Sequence, residues 1–438
     1  MNRRGLLAGG AGLLLAQGLA SRAAARGDAL ATAAEQAWIY GVMLIENANA
    51  RKNSLALVPA NQLRHARVLT TPATQSVTAP NNDTLYSRAW IDLNGGPVTL
   101  DMPKTGSRYI SYHFMDMYGN SFAILGTRTT GGEAHRVTLV GPMQETSDPL
   151  AVRSPTPWVW LLIRTLIDGD EDLPAANAIQ DGIKLTAPAR PAPAATATRD
   201  RPWNEFFGSV QSLLIENPPP ATDIAFFDKI APLGLKPGGG FDASRFSAAD
   251  VTRIQTGIMR ARQAVNGQRA GQIVQGWVYP KATLGDFGQD YFYRAQVAIA
   301  GLAALTPAEA MYMRPVPPDG GQNLDASKPL ALRFAKGQAP AVNAFWSLTA
   351  YARTPEGQSF FFDNPINRYA IGDRTKGLKY ASDGSLEIII SRTDPGGARS
   401  SNWLPAPPNA PMGLSLRAYL PKPEFYEGTY RLPALVAA

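Results

Sequence analysis

Two aspartates lie where a carboxylate could act as an acid or a base. Asp83 belongs to the polar run Asn-Asn-Asp-Thr at 81–84, and Asp116 lies among methionines and aromatic residues before a glycine turn. Two positioned carboxylates are the minimum equipment for cleaving a glycoside, so we predict that Asp83 and Asp116 are catalytic. The structural alternatives are an Asx turn at 81–84 and an ion pair between a buried Asp116 and an arginine. The arginines that could form that pair are Arg88, Arg108 and Arg128.

Two residues that follow these aspartates in the sequence could bind a ligand. Tyr86 comes three positions after Asp83, and Arg128 lies between hydroxyl residues in the sequence Gly-Thr-Arg-Thr-Thr-Gly at 126–131. A guanidinium flanked by hydroxyl groups can grip a carboxylate or a phosphate through bidentate hydrogen bonds. The alternative is a hairpin turn in which the arginine is structural. We predict substrate-binding roles for Tyr86 and Arg128.

The last third of the chain contains a second polar cluster. Asn364 and Arg368 lie in the run Asp-Asn-Pro-Ile-Asn-Arg at 363–368, and Trp403 lies in the run Asn-Trp-Leu-Pro-Ala-Pro at 402–407. These residues could form a polar ligand wall, completed by Arg374, with the indole stacked on an apolar ligand face. The alternative is an ion pair between the first and last residues of the run, which would hold the loop together. We predict substrate-binding roles for Asn364, Arg368 and Trp403.

The composition excludes several kinds of site. The 438 residues include no cysteine, so disulfides, thiolate metal sites and cysteine nucleophiles are excluded. The three histidines, at 65, 113 and 135, are far apart, and we predict no metal site and no cofactor. Calcium, which Asp and Asn oxygens bind, stays an open alternative. The net charge of +7 is spread along the chain, so we do not expect a nucleic-acid partner.

Residues 1–25 have the features of an export signal. Arg3 and Arg4 precede an apolar run diluted by glycine, and a small-residue cleavage site ends at Ala25. This order predicts a twin-arginine signal peptide and a periplasmic or secreted protein. A membrane anchor is the alternative, but an apolar run of about fifteen residues is too short to span ~30 Å of hydrocarbon. We therefore expect no membrane span in the mature chain.

The elements that must position these residues alternate between helix and sheet. Apolar residues at helical spacing predict a helical segment at 26–75, and period-two segments separated by turn residues predict an antiparallel sandwich at 76–190. A proline-rich linker and helical stretches occupy 191–319, and strand patterns return at 320–438. The pattern predicts a mainly β protein of the α+β class with two sandwiches.

Six motifs make the chain similar to a known pair of families. The stretches Ala-Pro-Asn-Asn-Asp-Thr-Leu-Tyr at 79–86, Phe-Met-Asp-Met-Tyr-Gly-Asn at 114–120 and Gly-Thr-Arg-Thr-Thr-Gly at 126–131 resemble the domain-of-unknown-function 1254 (DUF1254) family. Three C-terminal stretches resemble the domain-of-unknown-function 1214 (DUF1214) family: Asn-Ala-Phe-Trp-Ser at 343–347, Asp-Asn-Pro-Ile-Asn-Arg-Tyr-Ala-Ile-Gly-Asp-Arg at 363–374, and Asn-Trp-Leu-Pro-Ala-Pro at 402–407. The resemblance implies an immunoglobulin-like first sandwich and a jelly-roll second sandwich, and it implies no established activity. His113 departs from the glutamine expected in the family, which counts against an essential imidazole there.

Two functions are compatible with these observations. The first is an exported hydrolase or lyase that acts on a saccharide or a similar polar small molecule in a cleft between the sandwiches. The alternative is a periplasmic ligand-binding or interaction protein without catalysis. Two carboxylates on one wall of the cleft would favour the enzyme, and an aromatic platform without paired acids would favour binding.

Overall fold

The computed structural model describes residues 4–75, 78–187, 198–321 and 323–438, with side chains from Ala29 onward. Residues 1–3 of the predicted signal peptide at 1–25, its side chains and most of the predicted proline-rich linker lie outside what is described, and nothing tests the export signal or the linker, so both stay predictions. The described residues form seven helices: α1 (Arg4–Leu55), α2 (Leu173–Gly182), α3 (Trp203–Glu216), α4 (Ile224–Lys229), α5 (Ala248–Gly267), α6 (Tyr291–Ala300) and α7 (Pro423–Tyr426).

A helical layer forms around α1. Its apolar residues pack against α3, α5 and α6 in one core, so the helices before and after the first group of strands belong together. The helix α5 begins with a capping box between Ser247 and Asp250. Helix α1 ends at Leu55, four residues before Pro59, so the segment predicted as helical to residue 75 ends in loops and one short strand.

The N-terminal sheet pair consists of two sheets that share one apolar core. Its strands are β1 (Arg64–His65), β2 (Thr84–Asp92), β3 (Val98–Met102), β4 (Ile110–Met115), β5 (Ser121–Gly126), β6 (His135–Val140), β7 (Val152–Arg153), β8 (Trp158–Leu166) and β9 (Lys184–Thr186). One sheet has the order β1-β2-β8-β4-β5, and the other has the order β7-β6-β3-β9. Neighbouring strands are antiparallel except for the short parallel pair β6–β7.

The C-terminal sheet pair also shares one core. Its strands are β10 (Gln272–Val274), β11 (Trp277–Tyr279), β12 (Ala310–Pro315), β13 (Leu330–Phe334), β14 (Val342–Arg353), β15 (Ser359–Phe360), β16 (Ala370–Gly372), β17 (Leu386–Ser391), β18 (Trp403–Pro405), β19 (Met412–Pro421) and β20 (Val436–Ala437). A seven-stranded sheet runs β10-β11-β12-β19-β14-β15, with β16 also paired to β14, and a four-stranded sheet runs β18-β17-β13-β20.

The architecture confirms the predicted class, which is α+β with mainly sheet. Tyr109 and Ile124 of the N-terminal sheet pair pack with Phe345 and Tyr419 of the C-terminal sheet pair in a separate apolar cluster. The two sheet pairs are therefore in direct contact. Within the described ranges, every helix is too short or too polar to serve as a membrane span.

Candidate functional site

One face of the seven-stranded sheet is polar although it is buried. The residues that alternate into the C-terminal core are Trp346, Leu348, Ala350, Leu414, Leu416 and Ala418. Those on the opposite face are Ser347, Thr349, Tyr351, Ser415, Arg417 and Tyr419, and all of them are buried. Strand register places Ser347 beside Arg417 and Thr349 beside Ser415. Burying polar groups is unfavourable unless they are hydrogen-bonded, so whatever covers this face must supply partners.

The loop before β2 supplies several of these partners. The Tyr351 hydroxyl donates to the Pro80 carbonyl at 2.7 Å, and the Asn81 amide donates to the Tyr419 hydroxyl at 2.7 Å. Asn81 also accepts a hydrogen bond from the backbone N–H of Asp83, which is the Asx turn that the sequence offered as an alternative. The turn therefore has both a structural role and a positioning role, because it aims Asp83 at the polar face.

Asp83 is bonded to the C-terminal sheet pair rather than to its own. The Ser347 hydroxyl donates to one carboxylate oxygen at 2.7 Å, and Arg374 donates to the other at 3.3 Å. Arg374 also lies 3.6 Å from the carboxylate of Asp168 and over the ring of Phe345. The Asp83 side chain is only 5% exposed, so this carboxylate and its partners join the two sheet pairs.

A pocket of about 470 Å³ opens beside this group. Its polar lining residues come from both sheet pairs and are Asn82, Asp83, Asp168, Asp170, Glu171, Ser347, Arg374, Thr375 and Lys376. Two buried polar atoms on these residues have no hydrogen-bond partner, namely Nε of Arg374 and Oδ1 of Asn82. A ligand could supply both partners, because one atom is a donor and the other is an acceptor.

The described residues contain no group of three or more His, Asp or Glu side chains arranged to hold a metal ion. The pocket residues named above are instead suited to hydrogen bonding with an organic ligand. One carboxylate of the pocket already has a cationic partner within the protein, since the exposed Glu171 lies 3.7 Å from Lys376.

Asp116 lies at the opposite end of the N-terminal sheet from Asp83. Thr84, next to Asp83, pairs with Leu166 of β8, whereas Met115, next to Asp116, pairs with Trp160. Six residues of strand separate these positions, which corresponds to roughly 20 Å. Paired carboxylates in glycosidases are about 5–9.5 Å apart. The structure therefore does not bring Asp83 and Asp116 together as an acid–base pair.

Asp116 closes the turn after β4. One carboxylate oxygen accepts hydrogen bonds from the backbone N–H groups of Tyr118 (2.9 Å) and Asn120 (2.8 Å), and the other accepts from the Asn120 side chain. Amide groups thus take the place of the arginine partner that the sequence suggested. Burial raises the pKa of Asp116 to about 6, and the hydrogen bonds from Asn120 oppose this shift.

The raised pKa of Asp116 predicts a pH-dependent stability. Between the ordinary aspartate pKa and about 6, the folded protein holds a proton that the unfolded chain has released, so stability falls as the pH rises. From about pH 5 to about pH 7, the wild type should lose about 1 kcal/mol that Asp116→Asn does not lose. Urea unfolding at both pH values measures this difference, with the exposed Asp286→Asn as the control. Equal pH dependence in wild type and Asp116→Asn would contradict the prediction.

Two other predicted binding residues lie near the interface without lining the pocket. The Arg128 Nε atom donates to the buried carboxylate of Glu309 at 2.7 Å, and the Tyr109 hydroxyl donates to the same residue at 2.9 Å. Arg128 is thus held in an ion pair, which is the structural alternative. Tyr86 accepts a long hydrogen bond of 3.4 Å from Asn81, so it is one residue removed from the Asp83 group.

The predicted C-terminal wall forms a cluster of its own. The Arg368 backbone donates to the Asn364 side chain at 2.9 Å, and the Arg368 guanidinium donates to the carbonyls of Trp403 (2.8 Å) and Ser401 (3.1 Å). The Trp403 indole N–H donates to the carbonyl of Ser391, and its ring is 3% exposed. Trp403 therefore has no free face for a ligand. Of the predicted wall, only Arg374 reaches the pocket.

Sequence reasoning missed Ser347 and Asn82 as site residues. Asn82 belongs to the polar run at 81–84, but the residue types of this run indicate only Asp83 as an acid or a base. A signal for Ser347 was present in the alternation of β14, where polar or aromatic residues occupy every second position opposite the apolar core positions. Reading the polar face as well as the apolar face would have identified it.

The fold and the site together define a class of protein: an α+β protein with two sheet pairs and a polar pocket between them. Residues 60–187 match the protein of unknown function DUF1254, and residues 309–423 match the protein of unknown function DUF1214. The chain thus carries matches to both domains, in the N- to C-terminal order that the sequence resemblance gave, and the resemblance is confirmed.

Two solved structures are similar to this chain. The crystal structure of the VPA0106 protein from Vibrio parahaemolyticus has a TM-score of 0.70 and 24% sequence identity, and the match covers 93% of this chain and 100% of that chain. At this identity, the similarity shows the fold alone. An uncharacterised protein from Burkholderia cenocepacia has a TM-score of 0.46 and 13% identity, covering 94% of this chain and 96% of that chain. None of the curated proteins matches the sequence.

Proposed function

We propose that this protein binds a polar small molecule, such as a saccharide, in the pocket between its two sheet pairs. The observation that carries the proposal is the pocket of about 470 Å³ with polar lining residues from both sheet pairs, two of which, Arg374 and Asn82, each have a buried atom (Nε and Oδ1) without a partner in the protein. Leaving a buried polar atom without a partner costs about 1–3 kcal/mol. A hydroxylated ligand that donates to the amide oxygen and accepts from the guanidinium removes this cost.

Binding requires only these positioned groups, whereas glycoside hydrolysis requires a second carboxylate near Asp83. Asp116 is too far along the sheet to be that group. The pocket carboxylates Asp168 and Glu171 are exposed and face the cations Arg374 and Lys376, whereas a general acid needs a raised pKa, so we favour the ligand-binding function over a hydrolase. A lyase is the second candidate, because it needs a single base. The observation in its favour is the Asp83 carboxylate, which lines the pocket and accepts a hydrogen bond from the Ser347 hydroxyl at 2.7 Å. A carboxylate in this position could act as a base.

Saturation-transfer-difference NMR with glucose, maltose and glucuronate tests the binding proposal. We expect signal transfer to at least one of these sugars and a loss of about tenfold in affinity in Arg374→Gln, since a charged hydrogen bond contributes about 1.5–3 kcal/mol. Arg333→Gln is the matched control, because Arg333 is exposed, lies on β13 of the four-stranded sheet and pairs with Asp383. The absence of transfer to all three sugars, or an equal loss in the control, would overturn the proposal. Consumption of a bound uronate, abolished in Asp83→Asn, would identify the lyase instead.

We also propose that the protein works outside the cytoplasm, after twin-arginine export and cleavage near residue 25. The support is the order of paired arginines, apolar run and small residues in the sequence. Replacing both arginines with lysine (Arg3→Lys with Arg4→Lys) should leave uncleaved precursor in the cytoplasm. Cell fractionation followed by intact-mass measurement checks this. Normal cleavage and periplasmic recovery of the double variant would contradict it.

We infer that the N-terminal sheet pair is immunoglobulin-like and that the C-terminal sheet pair is a jelly roll, as the family resemblance implied. The support is that both pairs consist of largely antiparallel sheets over a shared core. A crystal structure whose strand connections are compared with those two folds tests the inference. Strand connections that follow neither fold would overturn it.

A further inference from the structure

A second part of the polar face carries three arginines. Arg417 lies beside Tyr312 in the strand register, and Arg314 is two residues farther along β12 and therefore on the same face. Arg353, at the end of β14, continues the alternating series of Ser347, Thr349 and Tyr351 on that face. None of the three arginines lines the pocket beside Asp83.

Arg417 and Arg353 both act on Arg314. Desolvation of the guanidinium lowers the pKa of Arg314 although the residue as a whole is exposed, and the positive charges of Arg417 and Arg353 lower it further. Arg417 itself is buried, Arg353 is half-buried, and Arg314 is exposed. The cluster thus reaches from the buried sheet to solvent, so a small solute can approach it at Arg314.

Neutral groups supply the hydrogen-bond partners of these arginines. Arg314 donates to the carbonyl of Ala300 at 3.3 Å, and Arg353 donates to the carbonyl of Gly357 at 2.8 Å. Arg417 donates to Thr349 at 2.9 Å and to a loop carbonyl. Across the described residues, no carboxylate forms an ion pair with any of the three. The Nε atom of Arg353 is also buried without a partner.

The sheet between these arginines carries the small residues Ser415 and Gly413 and the buried ring of Tyr351, over which Arg417 lies. Ser415 pairs with Thr349, and Gly413 pairs with Tyr351. A Cβ atom added to Gly413 would lie 3.2 Å from Cδ of Arg353, so the glycine lets the arginine stem lie close against the sheet. Ser415 and Gly413 thus fill little of the space among the three arginines, above a polar part of the sheet.

We propose that Arg314, Arg353 and Arg417 form an anion-binding recess for a ligand that carries a carboxylate or a phosphate. The Asp83 carboxylate offsets part of the charge of Arg417, but Arg314 and Arg353 have no such partner, and grouping three positive charges at a partly buried place is unfavourable without a counter-charge for each. An oxyanion supplies that counter-charge and can accept the guanidinium N–H groups that the protein leaves available. This site is separate from the pocket of the proposed function and does not depend on it.

Isothermal titration calorimetry of the full chain with inorganic phosphate and with succinate tests the recess. We expect saturable binding of at least one anion, and which of the two binds identifies the ligand group. Arg314→Gln should weaken binding at least tenfold, while Arg314→Lys, which keeps the charge, should lose less. Arg392→Gln is the matched control, because Arg392 is exposed, lies just after β17 and makes the same change in net charge.

Two outcomes would overturn the proposal: no saturable binding of either anion, or an equal loss of affinity in Arg392→Gln. The second outcome would show a general charge effect rather than a site. Should Arg314→Gln fail to fold, as circular dichroism would show, Arg353→Gln provides the same test from the opposite wall. Because neither arginine lines the pocket beside Asp83, sugar binding should be unchanged in both variants, which separates this proposal from the proposed function.

Discussion

Substituting alanine for Gly257 should lower the free energy of unfolding by about 3 kcal/mol, because it forces a methyl group into a close helix contact. Gly257 lies where α5 crosses α1, and a Cβ atom at this position would be 2.1 Å from the carbonyl oxygen of Ala31. A backbone atom cannot turn aside as a side chain can, so the two helices must separate. Urea unfolding of the variant measures the loss.

Gly267→Ala is the matched control for this substitution. Gly267 is the last residue of the same helix, and nothing lies within 4 Å of a Cβ atom added there. Alanine favours the helix over glycine by up to about 1 kcal/mol, so this variant should be as stable as the wild type or slightly more stable. Similar stability of both variants would show that α5 does not approach α1 this closely.

Asp83→Ala should destabilise the protein by about 3 kcal/mol, because it breaks a buried ion pair on one side only. Arg374 would lose Asp83, the nearer of its two carboxylate partners, and the Ser347 hydroxyl would lose its acceptor at 2.7 Å. The effect should be seen as a lower urea midpoint. Since Asp83 joins the two sheet pairs, the transition should also become broader if they then unfold separately.

Asp168→Ala provides the comparison, because Asp168 contacts the same guanidinium at 3.6 Å from a side chain that is 61% exposed. An exposed pair contributes up to about 1 kcal/mol, so this variant should be close to the wild type. A loss in Asp168→Ala that equals the loss in Asp83→Ala would mean that Arg374 depends on Asp168 instead. Asp83→Asn should fall between the two, since it keeps an acceptor for Ser347 but removes the charge.

Alternation in the sequence was sufficient to place the strands that carry the site. The run at 158–163 is apolar at every position, as is typical of a central strand, and β8 lies between β2 and β4. The alternating pattern of residues 85–93 corresponds to β2, and the polar run at 81–84 leads into it as a loop. These features are local, because side-chain direction repeats every two residues in a strand and turn residues act on their own backbone.

Residue type and sequence neighbours do not show which polar or aromatic residues line the pocket, as Asp116 and Trp403 illustrate. Both resemble ligand-binding residues in the sequence, yet Asp116 is bonded within its own turn and Trp403 is buried under its own loop. A carboxylate or an indole has the same letter in the sequence whether a ligand or the backbone takes its hydrogen bonds. Burial and partners decide its role, and neither is visible in a local pattern.

By itself, the sequence determined the class of fold, the family, and the loop that carries Asp83, because composition, periodicity and motifs are properties of short segments. Only the tertiary structure decided that Asp83 meets Ser347 and Arg374, which lie 264 and 291 positions away. It also decided that Arg314, Arg353 and Arg417 share one face. The physical reason is that apolar periodicity specifies which face of a strand is buried but not what covers the other face. That partner exists only once the two sheet pairs have packed together.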